Sequence, residues 1–141
     1  MNILKASKEL QSNLEAVGRS QRYPTTRVLF HEDDNSVGVY LVRSGTVRMG
    51  VRGLPHLDRD FAAGSLLGLP ATFTGRPYAL TAVTLSPCEI VHVSRERFLE
   101  LMREQPKLCR QATDMLGREV TFIQSALAER HRQLAAEAAA F

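Results

Sequence analysis

Tryptophan is absent from this chain, and cysteine occurs only twice, as Cys88 and Cys109. Two thiols so far apart, with no C-x-x-C pair, exclude a disulfide framework and suit a reducing cytoplasm. Histidine is sparse too. His31, His56, His92 and His131 stand singly, without the close pairing a metal centre requires, so neither metal nor cofactor is expected. No apolar run approaches the roughly 18 residues of a membrane span, and the opening Met-Asn-Ile-Leu-Lys-Ala-Ser-Lys-Glu is charged too early for a signal peptide. The expected location is the cytoplasm, with no membrane partner. No Ser-His-Asp or Cys-His arrangement can be composed from the spacing, and Glu-Asp-Asp at 32–34 falls in an expected turn, so the chain is not expected to be an enzyme. Neither sign of charge dominates: 18 basic and 15 acidic residues leave a net +3, which permits anionic partners without marking a nucleic-acid footprint.

What is present is enough for one domain, residues 1–141 with 44% apolar content. Leu10, Leu14 and Val17 recur at helical spacing before Gly18, predicting a short amphipathic helix over about 7–17 that ends at a glycine cap. From 27 to 93 the pattern becomes β-rich, with runs at 28–30, 37–42, 46–51, 80–85 and 89–93 divided by Gly, Pro, Asn and Asp clusters. Ser94 then reads as an N-cap for a helix with Phe98, Leu101 and Met102 on its apolar face, and Pro106 opens a second helix. That helix contains no further proline and extends roughly 33 residues, about 50 Å. Its alanine-rich end, 135–140, is expected to fray. The predicted fold is mainly β with C-terminal α: a lead-in at 1–23, a jelly roll at 24–93 and helices at 94–141.

Along the long helix Leu116, Val120, Ile123, Leu127 and Leu134 form a heptad-like seam, interrupted at Arg130. A helix of this length would extend beyond a domain of about 100 residues, so the seam is expected to pair two copies in a homodimer. The other reading packs the stripe on its own domain.

Between the β runs lies Gly-Ser-Leu-Leu-Gly-Leu-Pro-Ala-Thr-Phe-Thr-Gly-Arg-Pro-Tyr-Ala-Leu-Thr at 64–81. Gly64 and Gly68 allow tight turns that bring backbone N–H groups to an anion. The entry Arg-Val-Leu-Phe-His-Glu-Asp-Asp at 27–34, the hairpin Val-Tyr-Leu-Val-Arg-Ser-Gly-Thr-Val-Arg at 39–48, this cassette and Cys-Glu-Ile-Val-His-Val-Ser-Arg-Glu-Arg-Phe at 88–98 occur in a telling order. Together they resemble the cyclic-nucleotide-binding domain of the catabolite activator and FNR regulators, over roughly 24–127. The resemblance implies a β jelly roll whose ligand repositions a paired long helix. In nucleotide-binding members a Glu follows the cassette glycine to accept from the ribose hydroxyl, and an Arg nine residues on neutralises the phosphodiester. Here those positions hold Leu69 and Tyr78. Losing two charge-assisted contacts of about 1.5–3 kcal/mol each weakens binding by roughly two to four decades.

The expected ligand site is therefore a diverged cassette formed by Gly64, Leu66, Leu67, Gly68, Leu69, Ala71, Arg76, Tyr78 and Ala79. With Leu66, Leu67, Leu69, Phe73 and Tyr78 in it, a remaining cavity would be apolar with a phenol handle, suited to a small neutral or weakly acidic effector. Two alternatives stand beside it: a genuine cyclic AMP or cyclic GMP site in which Arg76 turns inward, and a structural dimerisation module whose cavity those side chains fill. The cluster-bearing FNR branch is excluded, because two cysteines cannot ligate an iron–sulfur centre. Regulators of the family carry a helix-turn-helix after the long helix, but this sequence reaches Phe141 without one. Arg118, Arg130 and Arg132 alone would give only sequence-blind DNA contact. The expectation is a stand-alone sensory domain signalling to an unidentified protein partner.

Overall fold

The computed structural model describes residues 3–140. Helix α1 (Lys8–Val17) starts where the Ser7 hydroxyl accepts from the Leu10 N–H, and it buries Leu10 and Leu14. It ends at Gly18, as expected, but not in a left-handed cap: φ is −101°. Close approach explains the glycine, since a Cβ there would lie 2.5 Å from Val91 Cγ1 and 2.9 Å from the His92 carbonyl oxygen. Strand β1 (Arg19–Tyr23) follows, then β2 (Val28–Phe30), β3 (Gly38–Ser44), β4 (Val47–Gly50), β5 (Arg59–Phe61) and β6 (Leu66–Leu67). A short helix α2 (Leu69–Thr74) precedes β7 (Thr81–Thr84) and β8 (Cys88–Ser94), and two helices finish the chain, α3 (Arg95–Glu104) and α4 (Pro106–Ala139).

The strands form two antiparallel four-stranded sheets, β1-β8-β3-β6 and β2-β7-β4-β5, the β roll that the sequence predicts. Between them lies one core, with Phe30, Tyr40, Val42, Met49, Leu67, Tyr78 and Ile90. The opposite face of the first sheet is also covered: Val39, Leu41, Val91 and Val93 pack with Leu10, Phe98, Leu101 and Leu108 of the helices. Burial on both faces explains why β3 reads as a continuous apolar run rather than an alternating one. β1 was not predicted, because Arg-Ser-Gln-Arg-Tyr carries no apolar alternation; its pairing with β8, from Arg19 opposite His92 to Tyr23 opposite Cys88, holds it as an exposed edge.

Ser94 caps α3 by accepting from the Arg97 N–H, and Pro106 opens α4, both as predicted. α4 runs to Ala139, through the alanine-rich end where fraying is expected; alanine is the strongest helix former and suits an exposed helix end. The helix is fastened along its length to its own domain. Lys107 pairs with Glu9 at 3.1 Å, Ser7 donates to Gln111 Oε1 at 2.6 Å, and Arg118 Nε donates to the Ile3 carbonyl at 2.7 Å.

Further along, Arg130 reaches Glu32 at 3.0 Å. Glu32 lies in the turn the sequence predicts, yet it is buried. Only 7% exposed, it also accepts from the Arg52 N–H at 2.7 Å and so ties α4 to the second sheet. This accounts for the arginine that breaks the seam. Among the described residues no helix is long and apolar enough to cross a membrane.

Candidate effector site

The cassette is shaped by three left-handed glycines. Gly64 (φ +93°) turns the chain into β6, which pairs with β3 through Tyr40–Leu67 and Leu41–Leu66. Gly68 (φ +90°) directs it into α2, and Gly75 (φ +75°) ends that helix with its N–H bonded to the Ala71 carbonyl. Thr72 stiffens the turn by donating to the Gly68 carbonyl at 2.8 Å. Beyond the helix Tyr78 is pinned: its N–H donates to the Asp34 carbonyl at 2.9 Å, and its carbonyl accepts from Asp33 at 2.8 Å.

Between cassette, sheets and long helix lies a partly open cavity of about 210 Å³. Phe30, Met49, Tyr78 and Leu80 form its floor; Gly68, Pro70, Ala71, Thr74, Arg76, Pro77 and Ala79 form the cassette wall. Glu119, Val120, Ile123 and Gln124 of α4 close the third side. The volume exceeds the roughly 150 Å³ that accepts benzene and falls below the roughly 300 Å³ where drug-sized pockets begin.

Five of the nine expected cassette residues reach this cavity: Gly68, Ala71, Arg76, Tyr78 and Ala79. Gly64 instead faces Lys5 and Gln11 of the N-terminal segment. Leu66 and Leu69 point to the helical side of the first sheet, and Leu67 fills the core between the sheets. Phe73 also leaves the site, meeting Phe98 edge-on at 5.3 Å. The alternation of a strand and the turn at Gly68 send these side chains elsewhere, so they do not fill the cavity as the alternative of a closed module requires.

Tyr78 is not the polar handle its phenol suggested. Its hydroxyl donates to the Gly38 carbonyl at 2.7 Å and accepts from the Val37 N–H at 3.1 Å. The ring stacks on Phe30 with centroids 4.1 Å apart, leaving only ring carbon for an occupant. Arg76 is exposed at the rim, and its guanidinium makes no hydrogen bond or ion pair with the described residues.

The polar group of the cavity comes from an element the cassette reading did not include. Glu119 is 3% exposed. The backbone N–H groups of Gly68 and Leu69 face its carboxyl, while its Oε1 has no partner among the described residues. Burial pushes this acid up to about 8, against a smaller opposite pull from those two N–H groups. The sequence does contain the signal. Leu108, Ala112, Met115, Glu119, Phe122 and Ala126 follow alternating steps of four and three, and the inner face of α4 is this stripe, one position from the chosen seam.

The seam itself divides. Leu116 packs partly against the helical cluster, and Val120 and Ile123 line the cavity. Leu127 and Leu134 are 36% and 57% exposed.

A β roll, a glycine-bounded cassette and a long helix closing the cavity are the features set beside known proteins. The family model for the cyclic nucleotide-binding domain matches residues 20–105, and the chain belongs to that family. The chain is 28% identical over 101 residues to the cyclic AMP receptor protein of Thermus thermophilus, covering 70% of this chain and 47% of that protein. It thus spans about half the length of the curated relative it matches. The crystal structure of the catabolite activator protein of the same organism superposes with a TM-score of 0.70 at 22% identity, covering 92% of this chain and 60% of the other. The cyclic-di-GMP-responsive regulator CLP of Xanthomonas campestris gives 0.71 at 19% identity, covering 92% and 65%. At these identities the structural matches show the fold.

Proposed function

We propose that this chain is a non-enzymatic effector-sensing domain whose cavity takes a small apolar molecule in place of a cyclic nucleotide. One observation carries the reading: α4 forms a wall of the cavity through Glu119, Val120, Ile123 and Gln124, so any occupant touches the helix directly. An occupant that fits one helix position better than another shifts the population between them. The hinge is the break at Gln105 and Pro106, where α3 hands over to α4.

Against a nucleotide stand the missing guanidinium at position 78 and the acid at position 119 beside the cassette N–H groups. The expected result of calorimetry with cyclic AMP and with cyclic GMP is no dissociation constant tighter than about 1 mM. A value at or below about 10 μM for either would restore the nucleotide reading, with Arg76 as the cation.

The exposed Leu127 and Leu134 support pairing of α4 with α4 of a second copy, and two free thiols suit a cytoplasmic setting. Signal output then passes through the paired helices to a protein partner. Arg118, Arg130 and Arg132 are engaged within the chain, by Ile3, Glu32 and Glu129, which argues against their serving as phosphate contacts. Light scattering should give a dimer mass for the wild type and a monomer mass for Leu127→Arg combined with Leu134→Arg. An unchanged mass in that variant would remove the seam from the reading. These positions test pairing better than Ile123, which packs on its own domain.

A further inference from the structure

We infer that the cavity selects a small, largely apolar amine, whose nitrogen is held by the Glu119 carboxyl. The inference rests on the reading of the cavity as an effector site. Glu119 lines a space whose other walls are mostly hydrocarbon, and its buried Oε1 lacks a partner among the described residues. A buried polar atom left unpaired is costly, and a donor brought by a ligand removes that cost. Among the described residues the same acid has no counter-charge: burial and the N–H groups of Gly68 and Leu69 are the influences on it.

The other titratable or charged side chains on the wall are Tyr78 and Arg76. The Tyr78 hydroxyl is engaged with Gly38 and Val37. Arg76 is exposed, where water and salt weaken its field, whereas the charge Glu119 carries once its proton has left lies inside, where it is felt several times more strongly. The cavity therefore favours a cation over an anion. The preference departs from the weakly acidic effector that an apolar pocket with a free phenol would suit.

An amine meets Glu119 with a balanced proton count. Near neutrality the buried acid, raised to about 8, is mostly protonated, while a free alkylamine carries its proton as a lysine does. On binding, the carboxyl O–H breaks, its proton leaves to solvent, and the carboxylate formed accepts from the ammonium. Close to one proton is released per molecule bound at about pH 7, and affinity rises with pH until Glu119 is ionised in the free protein.

The test uses three probes of similar shape on the full chain: phenethylamine, propylbenzene and phenylpropionate. Calorimetry in buffers of different ionisation enthalpy reads proton release as well as affinity. Phenethylamine is expected to bind at least about tenfold more tightly than propylbenzene at about pH 8, with phenylpropionate weakest, and to release close to one proton at about pH 7. Glu119→Gln is expected to remove both the preference and the proton release. Equal binding of amine and hydrocarbon, a preference for the acid, or amine binding without proton release by the wild type overturns the amine assignment and leaves the apolar effector site standing. Failure of all three probes to bind at about 1 mM overturns the effector site itself. The wild-type proton count decides the matter even where Glu119→Gln proves unstable.

Discussion

Raising the pH from about 5 to about 8 is expected to weaken this fold progressively, and Glu119→Gln to flatten most of that dependence. The sign follows from the direction of the shift. Glu119 is raised from its ordinary 4.5 to about 8 by burial, so the folded chain retains a proton that the unfolded chain releases throughout that interval. Stability from this group is fully present below the lower value and is lost as pH climbs through the upper one. The slope is about 1.4 kcal/mol per pH unit, which over the interval amounts to a few kcal/mol. Against a total of roughly 5–15 kcal/mol for a domain, that is a large fraction.

His92 works the other way. Half-buried, with its ring bonded to the Val37 carbonyl at 3.0 Å, it titrates below its ordinary 6.5, chiefly through desolvation. It therefore adds stability as pH rises through that region and shallows the early part of the curve. Urea unfolding at five pH values would check both. A profile that is level for the wild type, or equally steep in Glu119→Gln, would show that the carboxyl is not held protonated in the fold.

Gly38→Ala is expected to destabilise the domain by about 3 kcal/mol or more, lowering the melting temperature by about 10 °C. Gly38 has φ +135°, and a Cβ there would lie 2.0 Å from the Val93 carbonyl oxygen and 2.9 Å from Ser94 Cα. Both obstacles are backbone of the paired strand, with Gly38 opposite Ser94 in the register, so neither can swing aside. The same glycine accepts the Tyr78 hydroxyl bond at 2.7 Å, and any shift of β3 would loosen the cavity floor. Gly53→Ala is the control, because Gly53 is also left-handed (φ +84°) but has nothing within 4 Å of its virtual Cβ. That change should cost only about 1 kcal/mol. Equal losses in the two variants would mean that dihedral strain, and not the contact with β8, accounts for the effect.

Much of the architecture is legible in the sequence. The five apolar runs lie on β2, β3, β4, β7 and β8, and Ser94, Pro106 and the proline-free stretch after it mark α3 and α4. These are local signals, set by side-chain period and caps. β1, β5, β6 and α2 escaped the reading because each is short and owes its shape to a partner or a glycine turn rather than to its own composition. In the cassette, the glycine positions were legible and the side-chain directions were not. Leu66 and Leu67 face opposite sides of a sheet, and Leu69 leaves the cavity once Gly68 adopts φ +90°.

The order of residues alone determined the β roll and the long helix, since periodicity and residue identity are properties of the chain itself. Only the tertiary structure decided where the polar contact of the cavity lies. Glu119 is separated from the cassette by β7, β8 and α3 in sequence, and only the folding of α4 back over α2 brings it to Gly68. Burial then gives that acid its altered protonation, and burial is a property of the packed molecule rather than of any stretch of its sequence.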